Sequence, residues 1–181
     1  MNAVLQAIAR AALDATGAEA SWVLSLEGER LRVVGASGRG TAELLGSELP
    51  VGTGTAGYVV SSGQPMAIVP RGADARLADG LGARLGRVPA SILCVPCHYD
   101  DPVVGALELV DKAGGAPFSF DDVELVTLLG GVAGAAISAL GAEVTVRSPA
   151  EFATELALLA ASDPEAYARL SAVLEALLAR G

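Results

Sequence analysis

The sequence predicts an α+β fold: an antiparallel sheet flanked by helices in a sandwich-like arrangement, with a helical hairpin appended at the C-terminus. Three observations predict it. Residues 91–112 hold two apolar runs around Tyr99-Asp100-Asp101-Pro102, turn chemistry that makes an antiparallel β-hairpin. Both faces of that hairpin are largely apolar: Val103, Leu107 and Leu109 on one, Val104, Ala106 and Val110 on the other, interrupted by Glu108. A ribbon apolar on both faces needs cover on both, so it is expected at the centre of the sheet. Finally, residues 148–181 carry two helix-start signals in a row.

In chain order, residues 2–16 read as a helix with Val4, Leu5, Ile8, Ala11, Ala12 and Leu13 on one face and Gly17 as its stop. Residues 20–26 and 30–34 read as strands around Glu27-Gly28-Glu29, with Trp22 expected in the core. Residues 41–45 allow one helical turn. Gly52-Thr53-Gly54-Thr55-Ala56-Gly57 leads into a helix over 56–62. It lacks the Gly-Lys-Ser/Thr ending of a P-loop, so its glycines are read as close loop-to-helix packing rather than a phosphate cradle. Residues 64–69 read as a strand closed by Pro70. Residues 71–87 then hold Arg71, Arg76, Arg84 and Arg87 among helix-weakening glycines, either a solvated face or a lid over an anionic ligand.

After the hairpin, Asp121 and Asp122 favour the first turn of a helix over 121–140. Gly130 and Gly134, with Gly131 and Ala135 beside them, let another backbone approach, either the sheet or a symmetric partner. The uncharged stretch 125–142 reaches the length of a membrane span, yet its Gly, Ala, Ser and Thr content reads as a buried helix. In the tail, Ser148-Pro149-Ala150-Glu151 and Ser162-Asp163-Pro164-Glu165 are capping boxes with Pro in the first turn. They start helices over about 150–161 and 164–179. The first is lined by Leu156, Leu159 and Ala160, the second by Tyr167, Leu170, Leu174, Leu177 and Leu178. The boundary falls at 145: a domain over 1–145 and a hairpin over 146–181.

A hydrophobic fraction of 52% with 18% charged residues excludes disorder. The net charge of −9 argues against nucleic acid and anionic membranes as partners. The N-terminal residues lack a signal-peptide layout, and two cysteines fit a reduced, cytoplasmic protein. Cys94-Val95-Pro96-Cys97-His98 has the form of a haem-attachment string. However, residues three apart on a strand point to opposite faces, and zinc needs four ligands where the chain has one histidine. No metal or cofactor is expected, and both thiols read as small core groups.

The element order resembles a GAF domain over residues 2–141. Its telling pieces are Val51-Gly52-Thr53-Gly54-Thr55-Ala56-Gly57-Tyr58-Val59-Val60, Ser91-Ile92-Leu93-Cys94-Val95-Pro96 and Val103-Val104-Gly105-Ala106-Leu107-Glu108-Leu109. The resemblance implies a non-catalytic sensory or regulatory module in the cytoplasm, with a small-molecule pocket in front of the sheet. The pocket would be walled by Gly57, Tyr58, Ile68, Arg76, Arg84, Arg87 and Cys94 and would take a small, anionic ligand. It also implies a homodimer signalling to an unidentified downstream protein through paired helices. The cyclic-nucleotide signature is met at Lys112, Phe118 and Asp122 but not at Asp111 or Val123; it implies a structural Lys112–Asp122 ion pair rather than cyclic-nucleotide binding. The alternatives are a protein-interaction module with a vestigial pocket and, further off, a thiol-dependent enzyme. For the enzyme, the cysteines of the family's methionine sulfoxide reductases are missing after Gly52.

Overall fold

Asn2 starts the fold. Its Oδ1 accepts the N–H groups of Val4 and Leu5 at 2.8 and 3.3 Å, capping α1 (Ala3–Thr16), which Gly17 ends in the left-handed region. The buried stripe of α1 is Leu5, Ile8, Ala9, Ala12 and Thr16. Val4 and Ala11, expected on it, are exposed: each lies about 100° round the helix from the Leu5–Ala12 line. The computed structural model describes residues 2–70, 80–84, 86, 88–141 and 149–178.

The strands are β1 (Ala18–Glu27), β2 (Arg30–Gly38), β3 (Glu48–Pro50), β4 (Met66–Ile68), β5 (Ile92–His98) and β6 (Val103–Lys112). They form one sheet in the order β3-β2-β1-β6-β5-β4, with every neighbouring pair antiparallel. The central pair is β1–β6, so the expected hairpin sits off-centre, with β5 one strand in from the edge. The short edge strand β3, which sequence did not suggest, follows a 3₁₀ turn over Ala42–Leu44. A register shift at Cys97/His98, where Cys97 pairs with Gly105 but His98 with Val103, inserts one residue into β6. It reverses the expected faces at the start of that strand. Val103 packs with Ala106 and Val110, and Val104 packs with Leu107 and Leu109.

On the back of the sheet lie α1 and α4 (Phe120–Gly141), over a cluster containing Val23, Leu93, Val95, Cys97, Leu107, Leu109, Val126 and Ile137. A Cβ on Gly134 would sit 1.9 Å from the His98 carbonyl oxygen, and one on Gly130 would sit 2.9 Å from that of Pro96. The first small-residue pair therefore serves the approach of α4 to β5. Gly131 and Ala135 of the second pair face outward, with open space around Gly131. By length and composition Phe120–Leu140 passes for a membrane span, and its contacts with β5 and α1 account for the apolar residues of its inner face.

On the front lie α2 (Gly54–Ser62) and the single turn α3 (Leu81–Arg84), over a cluster containing Trp22, Leu24, Leu31, Val33, Val59, Leu81, Ile92, Cys94 and Val110. The chain divides into two compact units, Met1–Gly141 and Ala142–Gly181. The second holds α5 (Pro149–Ser162) and α6 (Pro164–Leu178), packed on each other. Asp163 rather than Ser162 caps α6: its Oδ1 accepts the Ala166 N–H at 2.9 Å, while the Ser162 hydroxyl donates back to the Leu158 carbonyl. Leu156, Leu159 and Ala160 are half-buried, as their stripe predicts, but Tyr167 and Leu170 are exposed. Leu174, Leu177 and Leu178 have no described side-chain surroundings.

Candidate functional site

Glu108 is the polar centre of the front face. Antiparallel register aligns Ala36, Trp22, Glu108, Cys94 and Met66 as one row across five strands. Every other member of that row is apolar or a thiol, and Glu108, Trp22 and Cys94 are buried. The Glu108 carboxylate is met from above by the first turn of α2, where the Thr55 hydroxyl donates to Oε2 and the Ala56 N–H faces the same carboxyl. Trp22 Nε1 also faces it but reaches no hydrogen-bond partner among the described residues. Burial pushes the Glu108 pKa up to about 7, with Thr55, Cys94, Trp22 and Ala56 pulling it back down.

This explains the glycine-rich stretch. A Cβ on Gly57 would lie 2.6 Å from the Gly52 nitrogen, so the loop folds tightly onto its own helix. The first-turn donors of α2 serve a carboxylate of the chain itself instead of a phosphate. Glu108 was visible in the sequence as an acid in an apolar strand. Its partners Thr55 and Trp22 were not, because they lie 53 positions before it and on another strand.

The thiols are separated by the sheet: Cys94 belongs to the front cluster and Cys97 to the back, and both are unpaired. Burial pushes Cys97 up to about 12, and burial with the neighbouring Glu108 charge pushes Cys94 well above the usual thiol range. At neutral pH neither is a thiolate nucleophile. His98 is exposed at the hairpin rim, its Nδ1 3.4 Å from the Asp101 carbonyl oxygen.

The other expected pocket residues do not converge. Gly57 is buried against Gly52, Tyr58 points to solvent, and Ile68 is half-buried at the edge of the front cluster. Arg84 is exposed and donates one guanidinium N–H to the Glu48 carbonyl of β3 at 2.9 Å. Arg76 and Arg87, with most of the lid assigned to 71–87, lie outside the described residues. An open hollow of about 530 Å³ lies instead at the far end of α2, lined by Leu26, Gly28, Glu29, Pro50, Val51, Val60 and Ser61.

Lys112 and Asp122 are brought together as an ion pair at the end of β6. Asp122 also accepts the Ser119 N–H at 2.6 Å and its hydroxyl at 2.8 Å, while Ser119 Oγ accepts the Asp122 N–H, which caps α4. Burial raises the Asp122 pKa, but Lys112 and Ser119 more than offset this and hold it below the usual aspartate value. Asp111, at φ 58°, accepts the Ala90 N–H at 2.6 Å and so ties the entry of β5 to β6.

Comparison with known proteins agrees with this architecture. A family model described as "GAF domain" matches residues 1–138. The second GAF domain of DevS from Mycobacterium smegmatis is 25% identical, superposes with a TM-score of 0.59, and aligns over 77% of this chain and 94% of its own. A type II free methionine-R-sulfoxide reductase from Thermoplasma acidophilum shares the fold at 16% identity and a TM-score of 0.58, over 73% of this chain and 88% of its own. A cGMP-specific 3',5'-cyclic phosphodiesterase from Drosophila mojavensis is 32% identical over 79 residues, 42% of this chain but 7% of the phosphodiesterase. Domains of this kind are commonly sensory or regulatory parts of signalling proteins. With its sheet order, its Gly-rich α2 entry and the match over 1–138, this chain belongs to the GAF domain family.

Proposed function

We propose that the unit up to residue 141 is a non-catalytic regulatory domain of a signalling assembly, receiving a small molecule on the front of the sheet. The observation that carries this is Glu108: the front face buries a titratable carboxyl under α2, whereas the back is closed by backbone contact. A helix resting on an ionisable group at one end and an open hollow at the other links occupancy of the hollow to the centre of the sheet. Two buried, protonated thiols support a domain without catalysis of its own and fit a reducing compartment such as the cytoplasm.

The described residues favour an uncharged or cationic ligand over an anion. The hollow is lined by apolar Leu26, Pro50, Val51 and Val60 together with Glu29 and no basic residue, and Arg84 is turned to β3. The cGMP named for the phosphodiesterase relative is not carried over, since Asp111 and Val123 depart from the cyclic-nucleotide pattern and Asp111 is engaged with Ala90. A thermal-shift screen tests this. Neutral or amine-bearing metabolites are expected to raise the Tm, and Ser61→Trp, which fills the hollow, is expected to abolish the shift. Stabilisation by nucleotides or organic anions, lost in Arg84→Ala, would restore the anion reading. A screen with no stabilising compound would favour the second reading, a protein-interaction module, whose support is the apolar outer face of α4.

A further inference from the structure

The Glu108 carboxyl is buried with hydrogen-bond donors around it and no counter-charge. From α2 come the Thr55 hydroxyl and the Ala56 N–H, from β1 the indole of Trp22, and from β5 the Cys94 thiol, which burial and the carboxyl itself hold protonated. The rest of its row, Ala36 on β2 and Met66 on β4, is apolar, as is Leu81 of α3 in the same cluster. Among the described residues no lysine, arginine or histidine faces the carboxyl. Its two charge states therefore make opposite demands. Neutral, it fits an apolar cluster; ionised, it needs every donor in reach, and Trp22 Nε1 stops short of a hydrogen bond. The helix above is held in a way that allows it two positions. Its N-cap Thr53 makes no side-chain cap, so Thr55 on Glu108 is a polar anchor of the first turn. Gly52 and Gly54, at φ 89° and 65°, give the backbone freedom on either side of the cap, and the packing of Gly57 on Gly52 makes loop and first turn move together.

We propose that Glu108 is a proton-operated latch for α2: with the carboxyl protonated the first turn lies closed on the sheet, and with the carboxyl ionised the turn lifts and water reaches the charge. The proton is taken from solvent and returned to it, and Cys94 stays neutral throughout. The direction follows from burial, which puts the folded value at about 7, above the ordinary 4.5. The closed form is favoured at lower pH and gives way as pH rises through 7. The indole agrees with this. In the closed form Trp22 Nε1 is a buried donor with no hydrogen-bond partner among the described residues; water admitted on ionisation would accept from it and donate to the carboxylate. That the movement feeds the hollow at the other end of α2 rests on the regulatory reading above; the latch itself does not.

The test uses the full chain, with its single tryptophan, Trp22, as the probe. Between about pH 5 and 8 its emission is expected to step with a midpoint near 7 while far-ultraviolet circular dichroism stays constant. The step is expected to vanish in Glu108→Gln, which holds the uncharged form. It is expected to move up by about one pH unit in Thr55→Val, which removes a donor to the charged form. His98→Gln, at the exposed hairpin rim, is expected to leave it in place. At pH 8, hydrogen exchange over residues 53–57 is expected to run about tenfold faster in the parent than in Glu108→Gln, with α1 exchanging equally in both. Absence of the step, its survival in Glu108→Gln, its loss in His98→Gln, an unmoved midpoint in Thr55→Val, equal exchange over 53–57 at pH 8, or loss of circular dichroism across the step would each overturn the latch. Should Glu108→Gln fail to fold, Thr55→Val and exchange of the parent at pH 6 and 8, corrected for intrinsic rate, carry the same test. None of these readouts involves a ligand, so a screen without a stabilising compound leaves the latch standing, and a flat titration leaves the regulatory reading standing.

Discussion

Leu107 and Glu108 are neighbours on β6 and live in opposite worlds. Leu107 points back into a face closed by backbone: Gly35 against α1 at Leu5, Gly130 and Gly134 against β5, with no room for a single added carbon. Glu108 points forward into a face of similar burial whose centre is an ionisable carboxyl, a hydroxyl and an indole N–H that reaches no hydrogen-bond partner among the described residues. The same sheet is therefore a fixed platform behind and a chemically adjustable surface in front. On the function proposed above, a signal would enter on the side where changing one proton or one contact has a discrete alternative, not on the side where every alternative is a clash.

The comparison breaks most severely at its extremes. On the front, Trp22→Ala removes the largest buried side chain and is expected to cost about 3–5 kcal/mol in a denaturant titration. On the back, Gly134→Ala places a Cβ against the His98 carbonyl and is expected to cost about 3 kcal/mol, or to prevent cooperative unfolding altogether. If Gly134→Ala were neutral, the claim of backbone closure would be wrong.

Glu108 sharpens the contrast through pH. Its folded pKa of about 7 lies above the ordinary carboxyl value of 4.5. Its contribution is therefore fully present below about pH 4.5 and is lost as pH rises through 7, a span of about 3 kcal/mol. Glu108→Gln, which keeps an acceptor for Thr55, is expected to flatten stability between pH 5 and 8 and to be more stable than the parent at pH 8 by about 1–3 kcal/mol. An unchanged pH profile in Glu108→Gln would assign the front face the same inert role as the back. The smallest effect belongs to the rim that joins the two faces. Lys112→Ala is expected to cost about 1 kcal/mol at neutral pH. Asp122 is held below its ordinary range, so its own contribution is present above that range and is lost only as pH falls through its lowered value, a window separate from that of Glu108.

Much of this was legible in the chain. The α1 stop, the hairpin turn and the opposite facing of Cys94 and Cys97 follow from rules that act over a few residues or along one strand, whereas the Lys112–Asp122 contact was implied only by the family resemblance and the Asn2 cap of α1 was read as part of the helix. Glu108 announced itself by interrupting an apolar run, yet was not named among the site residues, because what it meets depends on strand order. The exchange of Val103 and Val104 was hidden for a related reason. One extra residue at the Cys97/His98 shift reverses every side chain before it, and alternation carries no mark of a bulge. The two glycine pairs of α4 looked equivalent, and only packing distinguished the pair on the sheet from the pair facing outward.

By itself the sequence determined the local geometry: where helices start and stop, where the chain turns, and which segments have to be covered. Tertiary structure alone decided that Trp22, Thr55 and Cys94 surround Glu108, that the α2 donors serve an internal carboxylate, and that Leu125, Leu128 and Val132 remain uncovered. The physical reason is range. Caps, turns and periodicity are set by neighbours within a turn of backbone. The environment of a buried charge is instead set by groups brought from distant positions through strand pairing, which no single segment encodes.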